Sequence, residues 1–287
     1  MLRRLRGAGP AHGVAATGDF ETAFRKGVAA RLDDAARAVD RVAPPAAVYV
    51  GEVHDRLAYH VNQLAVITAL TDAGHAVAIG LEMIQTPFQE VLDDYVAGRI
   101  DFESMLSRSE YYTRWGYDPR LYQPIFEFAR RQRLPLVALN AAREVTARVR
   151  EVGLADLAGD ERTALPPELT PPRDAYRALL EEVFRQHEEA SDGGLERFID
   201  VQLARDETMG HTGARFLAEH PDHVLVVLAG VQHVAHGHGV PQRLARHAPA
   251  SNTIVLSTVE NETMPGSADV YRNWSTPSCP RRAAWAS

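Results

Sequence analysis

Glu52 and His54 stand two residues apart in Gly51-Glu52-Val53-His54-Asp55, directly after the apolar run 46–50. In extended backbone, residues i and i+2 face the same side, so a carboxylate and an imidazole share one location. That pair is either a general base with its orienting partner or part of a metal shell. Glu82 follows a second apolar run, 76–81, and His233 follows a third, 224–229, through Gly230-Val231-Gln232. Glu52, His54, Glu82 and His233 are therefore the candidate catalytic set. His54, Glu82 and His233 are the candidate ligands of a divalent metal ion. The plainer alternatives are a His that caps a helix, a Glu in a surface loop, and an ion pair between Glu82 and Arg143. Asn140 and Arg143 follow the run 135–139. Gln202 and Asp206 lie one helical turn apart. All four are candidates to support the site by hydrogen bonds to its imidazoles or carboxylates. His236 and His238 read as bystanders in a glycine-flanked loop.

These residues need a scaffold that brings distant segments to one place. The four apolar runs read as strands, and the segments between them carry helical periodicity. Helices are expected at 20–42, 59–73, 88–96, 101–106 and 118–133, and a fifth strand at 253–258. Strands alternating with helices imply an α/β fold: a mostly parallel central sheet flanked by helices. The proline-rich and polar-faced stretch at about 155–200 reads as a helical insertion, or lid, between the third and fourth strands. Residues 19–276 form the expected single domain, with 1–18 and 277–287 as disordered ends. In such a sheet, ligands bind outside the carboxyl ends of the strands. Those ends hold the Glu, His and Asn residues named above.

The stretch 111–117 (Tyr-Tyr-Thr-Arg-Trp-Gly-Tyr) is aromatic and fits neither helix nor strand period. With Tyr122 it offers phenols that can ligate ferric haem iron and rings that can stack on a porphyrin. The alternative is a cluster that closes a core beneath a loop. Composition narrows the classes. The 287 residues are 45% hydrophobic and 24% charged with a formal net charge of -7, which disfavours nucleic acid and anionic membrane as partners. No apolar run approaches the roughly 18 residues that span a bilayer, and one cysteine, Cys279, allows no internal disulfide. A cytoplasmic protein is the expectation. No phosphate-binding GxxxxGK[ST], Gly-x-Ser-x-Gly or Cys-x-x-Cys motif occurs.

The motifs together resemble the ChaN-like haem-binding family, grouped with the Tiki and erythromycin-esterase-like proteins. The matching pieces are Gly51-Glu52-Val53-His54-Asp55 with His60 and Gln63, Gly80-Leu81-Glu82-Met83 with Gln89 and Tyr95, and Trp115 with Tyr122-Gln123-Pro124-Ile125. Further along are Leu139-Asn140-Ala141, Gln202 with Asp206 and Met209, and 228–234 with 239–244. The resemblance spans about residues 40–275. It implies a haem-binding protein linked to iron uptake, a tyrosine as iron ligand, and haem held near a homodimer interface. Tyr117 and Tyr122 are the nearest ligand candidates, with Arg114 and Arg120 as partners for the propionates. The haem site is expected to be separate from the Glu52/His54/Glu82/His233 pocket, or only adjacent to it. The wider superfamily implies the alternative: a metal-dependent hydrolase built on two Gly-x-x-His motifs and a Glu, falling on His54, His233 and Glu82. Family members are often exported and membrane-anchored.

Overall fold

The computed structural model describes residues 17–186, 194–248, 250–256 and 270–274. Four parallel strands form its centre: β1 (Ala46–Glu52), β2 (Ala76–Gln85), β3 (Leu136–Asn140) and β4 (His223–Gly230), ordered β3-β2-β4-β1. β5 (Ser251–Leu256) adds in parallel to β1, and β6 (Val270–Trp274) pairs antiparallel at the outer edge. The expected mostly parallel α/β sheet is thus present. β5 starts two residues before the expected 253–258, whose last two residues lie outside the described ones. No sequence expectation covered β6. The expected disordered ends lie outside the described residues, apart from 17 and 18, which begin the first helix.

Both faces of the sheet are covered, as parallel sheets require. Side chains alternate between faces with period two. Val48, Val50, Ile79, Leu81, Val226 and Leu228 belong to one core cluster, while Ala47, Tyr49, Ala78, Leu225 and Val227 belong to another. Against the first face pack α1 (Thr17–Val39), α2 (Leu57–Asp72), α3 (Gln89–Val96), α4 (Phe102–Arg108) and, beyond the short α5 (Tyr111–Arg114), α6 (Gln123–Gln132). α2 buries Val61, Val66, Ile67 and Leu70 almost completely. Each such side chain contributes roughly 1.5–3 kcal/mol by leaving water.

Between β3 and β4 the described chain is helical: α7 (Arg143–Val152), α8 (Gly159–Thr163), α9 (Asp174–Gln186) and α10 (Gly194–Glu219). α10 carries Met209, Ala214 and Leu217 onto the second sheet face. Its first half joins α7 and α9 in two satellite clusters beyond the sheet, around Val149 and Val201 and around Tyr176 and Ile199. The one-turn α11 (Val231–Val234) and α12 (Val240–His247) follow β4.

One strand departs from the sequence reading in a way that shapes the site. Glu82 was expected just past the second strand, yet β2 continues to Gln85. Its pairing with β3 is regular to Leu81 and resumes, with a shifted register, at Gln85. Such an irregularity bends a strand and re-aims its side chains. Here the Asn140 side-chain amide donates to the Glu82 carbonyl at 3.0 Å, replacing a ladder bond.

Candidate functional site

The last residue of β1 is Glu52, whose side chain is fully buried. A buried carboxylate is costly unless its oxygens are occupied. His54 Nδ1 and the Tyr122 hydroxyl each lie 2.7 Å from Oε1, and Gln63 donates to Oε2 at 2.6 Å. Tyr122 is itself buried, accepts from the Trp115 indole at 3.3 Å and packs edge-on against His60. Glu52 therefore fixes His54 through Nδ1. Among the described residues nothing hydrogen-bonds Nε2, and the His54 side chain keeps 18% of its surface exposed. Burial opposes protonation of His54, but the Glu52 hydrogen bond and the nearby Glu82 and Glu52 charges outweigh it, so its pKa rises.

A second imidazole–carboxylate system stands beside the first. His233 Nδ1 bonds Asp206 Oδ1 at 2.6 Å, and Nε2 lies 3.3 Å from Glu82 Oε1. Glu82 Oε2 accepts the Gly230 amide at 2.6 Å. The Tyr176 hydroxyl, brought by α9, donates to Asp206 Oδ2. All of these groups are buried. Burial works against both charges, yet mutual attraction wins: His233 is pushed up to about 10 and Glu82 down to about 2. Two glycines make the close packing feasible. A Cβ at Gly230 would stand 3.0 Å from His54 Cε1, and one at Gly239 would stand 2.2 Å from the His233 carbonyl oxygen. The Gly-x-x-His spacing after β4 thus lets the imidazole from β1 lie against the end of β4.

The structure brings Glu52, His54, Glu82, His233, Asn140 and Asp206 to one sheet edge. Of the two expected placements of the aromatic segment, separate from this pocket or adjacent to it, the structure has the adjacent one: the His54 ring packs 4.6 Å from Trp115 and 4.9 Å from Tyr117, while Tyr122 bonds Glu52. Tyr122, buried and bonded to a carboxylate, is turned inward, whereas Tyr117 is 38% exposed. Arg143 does not pair with Glu82; its guanidinium donates to the Thr113 carbonyl and its amide to Gln85. Gln202 is buried but hydrogen-bonds neither imidazole, and its side-chain oxygen has no partner among the described residues. Arg114 pairs with Glu110 and Glu144, and Arg120 is exposed and pairs with Asp118. The expected metal set is engaged with itself, because Glu82 and His233 face each other. Among the described residues no group of three or more His, Cys, Asp or Glu is arranged to hold a metal ion.

A family profile described as haem-binding uptake, Tiki superfamily, ChaN matches residues 38–244. The chain belongs to this family. Its fold is similar to that of ChaN of Campylobacter jejuni, a structure described as showing cofacial heme binding, with TM-score 0.60 and 17% identity. That alignment covers 85% of this chain and 92% of the other. Weaker likenesses are to erythromycin esterase EreC (TM-score 0.41, 14% identity, 79% and 75% covered) and to the Vibrio vulnificus toxin effector domain RRSP (TM-score 0.40, 17% identity, 91% and 42% covered). Among curated proteins no sequence matches the chain. No helix among the described residues is long and apolar enough to cross a membrane.

Proposed function

We propose that this family member binds haem at the carboxyl edge of its sheet, with Tyr117 as the iron ligand. The observation that carries this reading is the placement of exposed apolar surface. Among the described residues the exposed large hydrophobics are Val53, Tyr112 and Tyr117, and Val53 and Tyr117 flank His54. Apolar surface left in water around a site marks where a ligand packs, and a flat porphyrin suits a wall of aromatic rings. The residues therefore fit the group that the family name implies. Tyr117 would hold the iron, Trp115 and Val53 would support the ring, and a cationic cavity beside them suits carboxylates. Bound haem would supply a redox-active ferric centre. A role in haem or iron uptake, and a homodimer with Tyr117 faces opposed, complete the proposal.

The Tyr117 hydroxyl is held in its neutral form, first by burial and then by the Asp55, Glu82 and Glu52 charges. Ligation must release that proton, so hemin affinity should rise with pH below the phenol's raised pKa. Purified protein titrated with hemin should give a saturable Soret band of tyrosinate type. Tyr117→Phe should weaken it by at least about tenfold. The absence of any saturable band would defeat the haem reading, and a band unchanged in Tyr117→Phe would defeat the ligand assignment.

A second reading is favoured by one observation: His54 is fixed at Nδ1 by Glu52 while Nε2 has no hydrogen bond among the described residues and the side chain keeps some exposure. That is the arrangement of a general base. In ester hydrolysis Nε2 would take a proton from water, the hydroxide would add to the acyl carbon, and the proton would pass to the departing alcohol. The base must be neutral, so activity should rise with pH through a midpoint above the ordinary histidine value of about 6.5. Turnover of p-nitrophenyl acetate should fall by roughly 100-fold or more in Glu52→Gln or His54→Gln. Turnover that neither change reduces would remove this reading.

A further inference from the structure

A cavity of about 320 Å³ opens beside Glu82, walled by the bulged end of β2, the end of β3, α5, α7 and α10. Its charged lining is one carboxylate, Glu82, against four guanidiniums: Arg114, Arg143, Arg150 and Arg205. In a chain of formal net charge -7, this concentration of cations is local. Most of it is also uncompensated. Glu82 is matched by His233, and Arg114 by Glu110 and Glu144. Arg143, Arg150 and Arg205 have no ion-pair partner among the described residues.

Their placement is ordered by secondary structure. Arg143, Thr146, Ala147 and Arg150 line the cavity at the spacing of one stripe along α7. From the other side α10 presents Arg205, partly buried and with no hydrogen bond to the described residues. Its neighbour Asp206 anchors His233, so Arg205 is set by the same helix that builds the site. Burial lowers the pKa of Arg205, and the neighbouring Arg150 adds to this, so that the Glu82 and Asp206 charges, both already engaged by His233, do not make up for the lost water. Such a residue is costly to keep inside a fold unless something negative joins it. Asn140 adds a polar side chain to the wall. Guanidinium forks match the paired oxygens of carboxylate and phosphate groups.

We propose that this cavity is an oxyanion-binding site. It receives a carboxylate or phosphate group of the molecule whose remaining surface lies on Trp115 and His54. Where the anion is a porphyrin carboxylate, the proposal rests on the haem reading and names its anchoring residues. Where it is a phosphate, the site stands without haem.

Calorimetric titration of the full chain with inorganic phosphate, and separately with hemin and hemin dimethyl ester, tests it. Wild type is compared with Arg205→Gln and with Arg150→Gln; the exposed Arg150 keeps the test open if Arg205→Gln fails to fold. Saturable phosphate binding weakened by about tenfold or more in these variants supports a phosphate source. A similar loss for hemin but none for its dimethyl ester supports a porphyrin carboxylate. If phosphate and hemin each bind the variants as they bind wild type, or neither binds wild type, the proposal is overturned. A chain that binds phosphate but gives no Soret band would defeat the haem reading alone.

Discussion

Replacing Asp206 with alanine is expected to destabilise the protein by about 3–5 kcal/mol at pH 6, the cost of leaving a buried charge without its partner. Asp206 is fully buried and accepts from His233 at 2.6 Å and from the Tyr176 hydroxyl. Without it the His233 imidazolium faces Glu82 alone, and a buried phenol loses its acceptor. The pH dependence gives a second check. The native pKa of His233 is raised to about 10. Its stabilising contribution is therefore fully present below the unfolded value of about 6.5 and is lost as pH rises through 10. Glu82, lowered to about 2, contributes above its unfolded value of about 4.3 and loses that contribution as pH falls towards 2. At pH 6 both contributions are in force. The gap between wild type and Asp206→Ala in urea unfolding should be widest there and narrow towards pH 10. Asp206→Asn, which can keep a hydrogen bond but not the charge, should cost less. A loss below about 1 kcal/mol, or a gap that widens with pH, would show that His233 is not held as a cation by Asp206.

The sheet was legible because its signals are local. Four apolar runs ended in Glu52, Glu82, Asn140 and Gly230, and in a parallel sheet those ends share an edge. The Gly230 spacing to His233 marked the imidazole, and Asp206 was recoverable because its partner could be named. What escaped depends on pairing across sequence. Tyr122 meets Glu52 across 70 residues, and Tyr176 meets Asp206 across 30, and no periodicity encodes either. The aromatic stretch could therefore be read only as separate from the sheet-edge pocket or adjacent to it, and not as the wall of that pocket which Trp115 and Tyr117 form against His54. Arg205 escaped for a different reason. An arginine on a long helix reads as a solvated face, and only packing shows that this one borders a cavity. Glu82 was placed one element too late because register slips such as that between Leu81 and Gln85 follow from neighbouring strands, not from the strand's own residues.

Glu207 is the second position where one atom group carries a large share of stability. It is fully buried in α10, with Arg243 Nε at 3.3 Å and Arg246 Nη2 at 2.5 Å, and it accepts the Thr170 amide at 2.9 Å. It therefore ties α12 and the segment before α9 to α10. Glu207→Ala should cost about 3–5 kcal/mol, because Arg243 would keep its charge while almost wholly enclosed. A double-mutant cycle separates the two arginines. The Arg243 side chain is 2% exposed and that of Arg246 27%, so coupling to Arg243 should be the larger, since water screens the other. Joint replacement by Glu207→Leu and Arg243→Met should recover most of the loss, because a matched apolar pair removes both desolvation costs. The same contacts decide whether the stretch before α9 can open. Freed from Glu207, the backbone at Thr170 should become the first site of limited proteolysis under native conditions. Cleavage that begins elsewhere in Glu207→Ala would mean that this segment is held by its own apolar contacts, Leu165 and Leu169 against Val201 and Ala204. The Arg243 guanidinium also lies 5.4 Å from the Tyr176 ring, whose hydroxyl holds Asp206. A change at Glu207 that moved the His233 titration as well as the unfolding midpoint would therefore place both buried ion systems in one coupled network.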